Sequence, residues 1–317
     1  MKKSKKKFNY KHSLGQNFIV DEFLLDDIVE NSGIDENDFV LEIGPGNGAM
    51  TKVLSDKAKY VAAVEIDKSL MPLLKENLKD YNNISIINAD FLNYDFKNII
   101  NEFIKSNFSN QSHDHKTLNA NESININSFP TPIKVVANIP YYITSPIIQS
   151  LLQNPFISEM TLMVQKEVAE RIVAIPSNKD YGILTLACNY FSDTEMIMIV
   201  SKDCFFPKPK VDSAVVHFVK KSKFCIPEYN IEPNRLSNSN HIEENNYTLK
   251  LDTEYEKLFK LIKASFAERR KKLLNSLDDA GFDKKILQNA FSTLNFDENV
   301  RAENLSLEDY INLSHLL

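Results

Sequence analysis

Asn138-Ile139-Pro140-Tyr141 places an amide carbonyl, a main-chain carbonyl and an aromatic ring within four consecutive residues. Pro140, with its fixed φ and no N–H, stiffens the turn that aims them. Two hydrogen-bond acceptors beside an aromatic plate suit a particular chemical problem. The exocyclic amine of a base such as adenine is a poor nucleophile, because its lone pair is delocalised into the ring. Acceptors that engage the amine protons let the nitrogen pyramidalise toward an electrophile, while the plate holds the base. Taken alone, the tetrapeptide reads equally well as an Asn-x-Pro turn between a strand-like run at 134–137 and a helix-like run at 146–152.

A second constellation lies upstream. Gly44-Pro45-Gly46-Asn47-Gly48 follows the apolar run Phe39-Val40-Leu41-Glu42-Ile43 and precedes a helix-like stretch at 49–55. Glycines between a strand and a helix let the backbone approach a ligand closely, with the helix N-terminus behind it. Glu65 ends the next strand-like run, 21 residues after Gly44, where a carboxylate can accept from both hydroxyls of a ribose. Nicotinamide dehydrogenases share this logic, but Asn47-Gly48-Ala49 does not satisfy their G-x-G-x-x-G loop. Glu42-x-Gly44-x-Gly46 resembles instead the loop of methyltransferases that bind S-adenosylmethionine. In that setting Asp90, at the end of a third strand-like run, would accept from the amine of the cofactor's adenine, with Phe91 near its base. Gly44, Glu65, Asp90 and Asn138 thus fall at four successive strand ends, the side of such sheets on which ligands bind.

The elements that must position these residues follow a regular rhythm. A helix at 21–32, with Asp21 as N-cap and Gly33 as its stop, precedes strands at 39–43, 60–65 and 84–88 and helices at 49–55 and 68–79. This alternation predicts a parallel sheet wrapped by crossover helices. Residues 101–131 break it: seven Asn and five Ser among few apolar anchors read as a polar, partly disordered insertion. Alternation resumes at 134–137, 161–164, 168–175, 196–200 and 215–219. A second Asn-rich stretch at 227–246 reads as a linker, and helical patterns follow at 253–277, 284–291 and 306–317. The expected organisation is an α/β domain with a doubly wound sheet over 1–224, a linker at 225–250 and a small C-terminal all-α domain over 251–317.

With 317 residues, 43% hydrophobic and 25% charged, the chain has the composition of an ordinary globular protein. No apolar run reaches the ~18–20 residues that span a bilayer, and the Lys-rich start lacks the apolar segment of a signal peptide. Cys188, Cys204 and Cys225 are odd in number and form no C-x-x-C, which predicts reduced thiols, no metal site and a cytoplasmic protein. The net charge of -6 argues against a uniformly basic nucleic-acid binder. Positive charge is nevertheless concentrated locally. Residues 1–12 carry six Lys and no acid, 201–225 carry six Lys against Asp203 and Asp212, and 263–273 carry Lys263, Arg269, Arg270, Lys271 and Lys272 against Glu268. These runs predict a phosphate-tracking face on an acidic body.

Further segments make the resemblance specific. His12-Ser-Leu-Gly-Gln-Asn-Phe-Ile19, Glu42 to Gly48, Asn138 to Pro146, Met163-Val-Gln-Lys-Glu-Val-Ala-Glu-Arg171, Phe205-Phe-Pro-Lys-Pro-Lys-Val-Asp-Ser213 and Ser265-Phe-Ala-Glu-Arg-Arg-Lys-Lys-Leu273 resemble the small-subunit ribosomal RNA adenine dimethyltransferases, the KsgA family. The resemblance covers nearly the whole chain except 101–131 and 227–250. A looser similarity extends to the large-subunit methyltransferases of macrolide resistance. Leu14-Gly15, Thr144-Ser145-Pro146 and the Phe-Ala-x-Arg-Arg segment favour the first family. DNA adenine methyltransferases usually show Asn-Pro-Pro-Tyr, which Ile139 does not match. From a different class, a non-catalytic ribosome-assembly or transcription factor of the same fold stands as the alternative, and the intact turn and glycine loop argue against it.

The resemblance implies a class I, Rossmann-like methyltransferase fold and S-adenosylmethionine as cofactor. It implies dimethylation of N6 on two adjacent adenines near the 3′ end of small-subunit rRNA, by a monomer acting on a precursor 30S-type particle during subunit biogenesis, away from membranes. Asn17 and the backbone of Ile19 would contact the methionine part of the cofactor, and Gly44, Glu65 and Asp90 its backbone-contacting edge, ribose and adenine. Asn138, also counted among the cofactor-binding residues, and the Ile139 carbonyl would orient the target amine. Tyr141 and Phe205 would sandwich the flipped adenine; Phe205 is preferred to Phe206 because Pro207 and Pro209 set the register of Phe-x-Pro-x-Pro.

Overall fold

A two-residue strand, β1 (Phe18–Ile19), and helix α1 (Glu22–Glu30), capped by the Asp21 carboxylate, lead into the main sheet. The computed structural model describes residues 17–109, 132–225, 242–243, 248–249 and 253–317. Strand and helix then alternate: β2 (Phe39–Ile43), α2 (Ala49–Lys57), β3 (Tyr60–Glu65), α3 (Met71–Asn77), β4 (Ile84–Asn88) and α4 (Phe96–Ser109). The second half runs β5 (Ile133–Asn138), α5 (Thr144–Leu152), β6 (Ile157–Gln165), α6 (Lys166–Ile172), α7 (Ile183–Phe191), β7 (Ser192–Val200), β8 (Phe205–Phe206) and β9 (Ser213–Lys220).

Seven strands form one sheet in the order β4-β3-β2-β5-β6-β9-β7, parallel except for β9, which is antiparallel to both neighbours. The chain winds outward from β2 to β4, returns to the other side of β2 and winds outward again. This doubly wound α/β arrangement is the one expected, and its switch point lies between β2 and β5. All five residues of β2 are buried, because helices cover both faces of a parallel sheet. Phe39, Leu41 and Ile43 pack toward α4 and α5, while Val40 packs on the opposite face with Leu25, Ile28 and Leu54 of α1 and α2. Each such side chain contributes roughly 1.5–3 kcal/mol of burial.

The structure departs from the expected elements in four places. Residues 101–109 are not part of a polar insertion but the second half of α4, whose Ile99, Ile100, Phe103 and Ile104 are buried against the sheet. The Asn and Ser residues interspersed along the sequence hid this apolar stripe. Residues 110–131, and the linker apart from 242–243 and 248–249, lie outside the described residues. Helix α7 had no expected counterpart: Leu186 faces one core and Cys188 and Phe191 another, so no polar face marks the helical period. The helix expected at 253–277 is two, α8 (Thr253–Phe266) and α9 (Leu273–Asp279), and the helix expected at 168–175 starts at Lys166 and ends at Ile172.

The residue pairs β10 (Ile242–Glu243) and β11 (Thr248–Leu249) precede this tail, and α10 (Lys284–Thr293) and α11 (Leu307–Leu316) complete it. Its core is shared with the main domain: Ala174, Tyr181 and Leu186 are buried with Leu258, Ile262, Leu277, Phe291 and Leu313. The Tyr181 hydroxyl donates to the Leu305 carbonyl at 2.9 Å. Among the described residues, no helix is long and apolar enough to cross a membrane.

Candidate active site

The carboxyl ends of β2, β3, β4 and β5 open into one pocket that is continuous with solvent. Asn17, Ile19, Gly44, Glu65, Asp90, Asn138 and Tyr141 all line it. The arm carrying Asn17 reaches the pocket because β1 pairs antiparallel with β8, Phe18 opposite Phe206 and Ile19 opposite Phe205.

Two glycines take conformations that a side chain would oppose. Gly44 has φ +72° and Gly46 φ +61°, and a Cβ on Gly46 would stand 2.7 Å from the Phe18 ring. The Gly46 N–H donates to Glu65 Oε2 at 3.2 Å, and the Asp67 N–H to Glu65 Oε1 at 2.7 Å. The loop and the carboxylate thus hold each other. Burial raises the Glu65 pKa, with the Asp67 and Gly46 N–H bonds opposing it. Each oxygen keeps a further lone pair for a ribose hydroxyl. Asp90 accepts from the Leu92 N–H at 3.2 Å and from Asn93 Nδ2 at 2.7 Å, which fixes its carboxylate at the pocket edge.

Glu42 was legible only as part of the loop pattern, and its position says more. It is fully buried in β2 yet lines the pocket, and neither carboxylate oxygen has a hydrogen-bond partner among the described residues. Burial pushes its carboxyl up to about 8; the nearby Thr51 hydroxyl favours the charged form without reaching it in hydrogen-bond geometry. An isolated buried acid is costly unless a ligand answers it. The ammonium of the methionine moiety of S-adenosylmethionine is such a ligand, and the residues present fit that cofactor.

The Asn138 turn is held from both sides. Asn138 Nδ2 donates to the Asn17 carbonyl at 3.1 Å, so the donor end of the amide is committed to the arm and Oδ1 is left for a ligand. The Ile139 N–H donates to the Met163 carbonyl at 3.1 Å, tying the turn to β6. Tyr141 and the Ser213 hydroxyl of β9 share a 2.7 Å hydrogen bond, which pins the ring, and burial raises the phenol's pKa and keeps it neutral.

Phe205 is placed differently from the expected sandwich. It is 3% exposed, packed with Ile19, Leu25, Met163, Val200 and Val215, and does not line the pocket, while Phe206 is 54% exposed. Adjacent residues of a strand face opposite ways, and the pairing with Ile19 turns Phe205 into the core. Phe205→Ala should therefore destabilise the protein by about 3–5 kcal/mol, and Phe206→Ala by clearly less. Calorimetric unfolding of the two variants checks this.

Part of the described basic runs is engaged within the fold, and the run at 1–12 lies outside the described residues. Lys208 pairs with Asp203, Lys221 donates to the Asn189 carbonyl, and Lys220 is 5% exposed and donates to the Asn154 carbonyl at 2.6 Å. Arg269 donates to the Lys179 and Tyr181 carbonyls and pairs with Glu303, and Lys271 sits between Glu268 and Asp279. Lys210, Lys223, Lys263, Arg270 and Lys272 stay exposed. Among the described residues, no group of three His, Cys, Asp or Glu side chains is placed to hold a metal ion.

Residues 7–233 match the ribosomal RNA adenine dimethylases. The Ribosomal RNA small subunit methyltransferase A of Clostridium acetobutylicum is 38% identical over 311 residues, 97% of this chain and 94% of that protein. The protein of the same name from Alkaliphilus metalliredigens is 35% identical over 313 residues, 98% of this chain and 92% of that one. Among solved structures, a dimethyladenosine transferase from Plasmodium falciparum matches with a TM-score of 0.66 at 24% identity, over 93% of this chain and 95% of that one. The 23S rRNA methyltransferase ErmE matches with a TM-score of 0.62 at 24% identity, over 95% and 99%. At that identity the two structures speak for the fold, and the sequence relatives for the family. The chain belongs to the ribosomal RNA adenine dimethylase family, enzymes that methylate rRNA adenines with S-adenosylmethionine.

Proposed function

We propose that the protein transfers methyl groups to N6 of two adjacent adenines near the 3′ end of small-subunit rRNA, giving N6,N6-dimethyladenosine. The observation that carries this reading is the orientation of Asn138: its donor end is bonded to the arm, and its acceptor end shares a pocket with Glu65 and Asp90. The small-subunit target follows the name shared by the relatives in both clostridial genera.

S-adenosylmethionine, when bound, supplies a methyl group on positively charged sulfur, which N6 displaces to leave S-adenosylhomocysteine. The protein's share is position and dipoles. Asn138 Oδ1 and the Ile139 carbonyl accept the amine protons and direct the nitrogen's lone pair at the methyl carbon. The N6 proton leaves after transfer, so no side-chain base is required. Extruding an adenine costs a few kcal/mol, and stacking on Tyr141 returns about 1–3 kcal/mol. Glu65 holds the ribose, and Glu65→Ala should weaken cofactor binding at least tenfold by calorimetry, with RNA affinity unchanged.

The substrate is a precursor particle rather than free RNA. The chain is acidic overall, and among its described basic runs Lys208, Arg269 and Lys271 are paired with acids, which weakens its hold on free RNA. The protein acts as a monomer in the cytoplasm, where its three free cysteines stay reduced. Each phosphate contact adds about 0.9 to the slope of log affinity against log salt. Lys210→Ala should reduce that slope by about one, while Lys271→Ala, already engaged by two acids, should leave it unchanged in filter-binding titrations. The deciding experiment incubates the protein and labelled cofactor with small subunits lacking this modification and maps the label. Label on the two adjacent adenines supports the reading; label confined to large-subunit rRNA or DNA, or none, refutes it.

A further inference from the structure

Tyr142 is the one residue of the Asn138 turn that the chemistry above does not use. Its neighbours are both committed, Tyr141 to Ser213 and Ile143 to the main core. Residues 141–143 form a 3₁₀ turn, in which consecutive side chains leave about 120° apart. With Tyr141 directed at β9 and Ile143 inward, Tyr142 is left facing outward. It lines the pocket and is nevertheless 56% exposed.

Two other large apolar side chains on the pocket rim are also exposed, Ile66 at 47% and Leu92 at 37%. Ile66 directly follows Glu65 and Leu92 lies two residues after Asp90, so they border the ribose and adenine ends of the cofactor site. Tyr142 follows the turn that holds the target amine and is the exposed aromatic at the substrate end. When a nucleotide is extruded, its neighbour in the strand loses a stacking partner and bares one face. An exposed ring beside the extrusion site restores that contact.

We propose that Tyr142 stacks on the nucleotide adjoining the extruded adenine and thereby sets which of two neighbouring adenines occupies the pocket. The inference rests on the reading given under Proposed function. The contact uses the face of an unpaired purine and leaves its edge alone. It therefore holds adenine and N6,N6-dimethyladenine alike, and lets the enzyme step one nucleotide along after the first base is finished. Tyr142 is a positioning residue, since its ring touches neither the sulfur nor the reacting nitrogen.

The test uses full-length parent, Tyr142→Ala and Tyr142→Phe proteins, with unmodified small subunits as substrate. Methyl groups are counted at each of the two adenines by mass spectrometry, and cofactor affinity is measured by calorimetry. Tyr142→Ala should lower kcat/KM for subunits by roughly tenfold or more, chiefly through KM, and make the two adenines unequal in methyl content. Tyr142→Phe should restore both rate and distribution, and cofactor affinity should not change in either variant. Parental rate and distribution in Tyr142→Ala would overturn the proposal. So would a Tyr142→Phe variant as impaired as the alanine one, which would point to the hydroxyl, or a parallel loss of cofactor affinity. A parent protein that modifies neither adenine refutes the underlying function instead, a result read without the variants.

Discussion

Asn138→Ala should lower the rate of methyl transfer by about a thousandfold while leaving cofactor affinity and the unfolding temperature close to those of the parent chain. The acceptor it removes acts where N6 rehybridises, so its interaction is made mainly in the transition state. The fold loses only the Nδ2 bond to the Asn17 carbonyl, worth about 1 kcal/mol, or a few degrees of Tm at this chain length. Asn138→Asp separates the two ends of the amide. It keeps an acceptor for the amine but sets an oxygen against the Asn17 carbonyl, which loosens the arm. Its rate should fall less than that of the alanine variant and its cofactor affinity more. Single-turnover kinetics and calorimetry on both variants measure this. Normal turnover in Asn138→Ala would remove the assigned role.

The chemistry-bearing residues were legible in the sequence because the fold puts them where local signals are strongest. Gly44, Glu65, Asp90 and Asn138 each end an apolar strand, and glycine, acid or Asn-x-Pro punctuates a run of Val, Ile and Ala. What stayed hidden depends on tertiary contacts. Helix α7 is apolar on two sides because it lies between two cores. Phe205 lies in the core rather than in the pocket because of the two-residue pairing of β1 with β8, too short to leave a period. The basic run at 201–225 counts six Lys, yet Lys220 is buried and Lys208 and Lys221 are engaged. Charge along a chain is not charge on a surface. Glu42 is visible as an acid inside Phe-Val-Leu-Glu-Ile, but only the packing of β2 shows that no described residue answers it.

Glu42→Gln should remove the share of the pH dependence of stability that Glu42 contributes in the cofactor-free protein, and weaken S-adenosylmethionine binding roughly ten- to hundredfold. In the folded chain the Glu42 pKa is raised from 4.5 to about 8, chiefly by burial. Between those values the folded chain keeps a proton that the unfolded chain gives up. The group's contribution is therefore most favourable below pH 4.5 and is lost as pH rises toward 8. Glutamine has the same shape and does not titrate, so the variant should gain on the parent as pH rises, by a few kcal/mol at the upper end. Thermal unfolding at pH 5 and pH 8 reads that difference. Cofactor binding should run the other way. An ammonium beside Glu42 favours the carboxylate, so at neutral pH the parent should release a proton on binding that the variant does not. Calorimetric enthalpies in buffers of different ionisation heat count that proton directly. Equal proton release in the two proteins would place the cofactor's ammonium elsewhere and leave Glu42 a buried acid without a ligand.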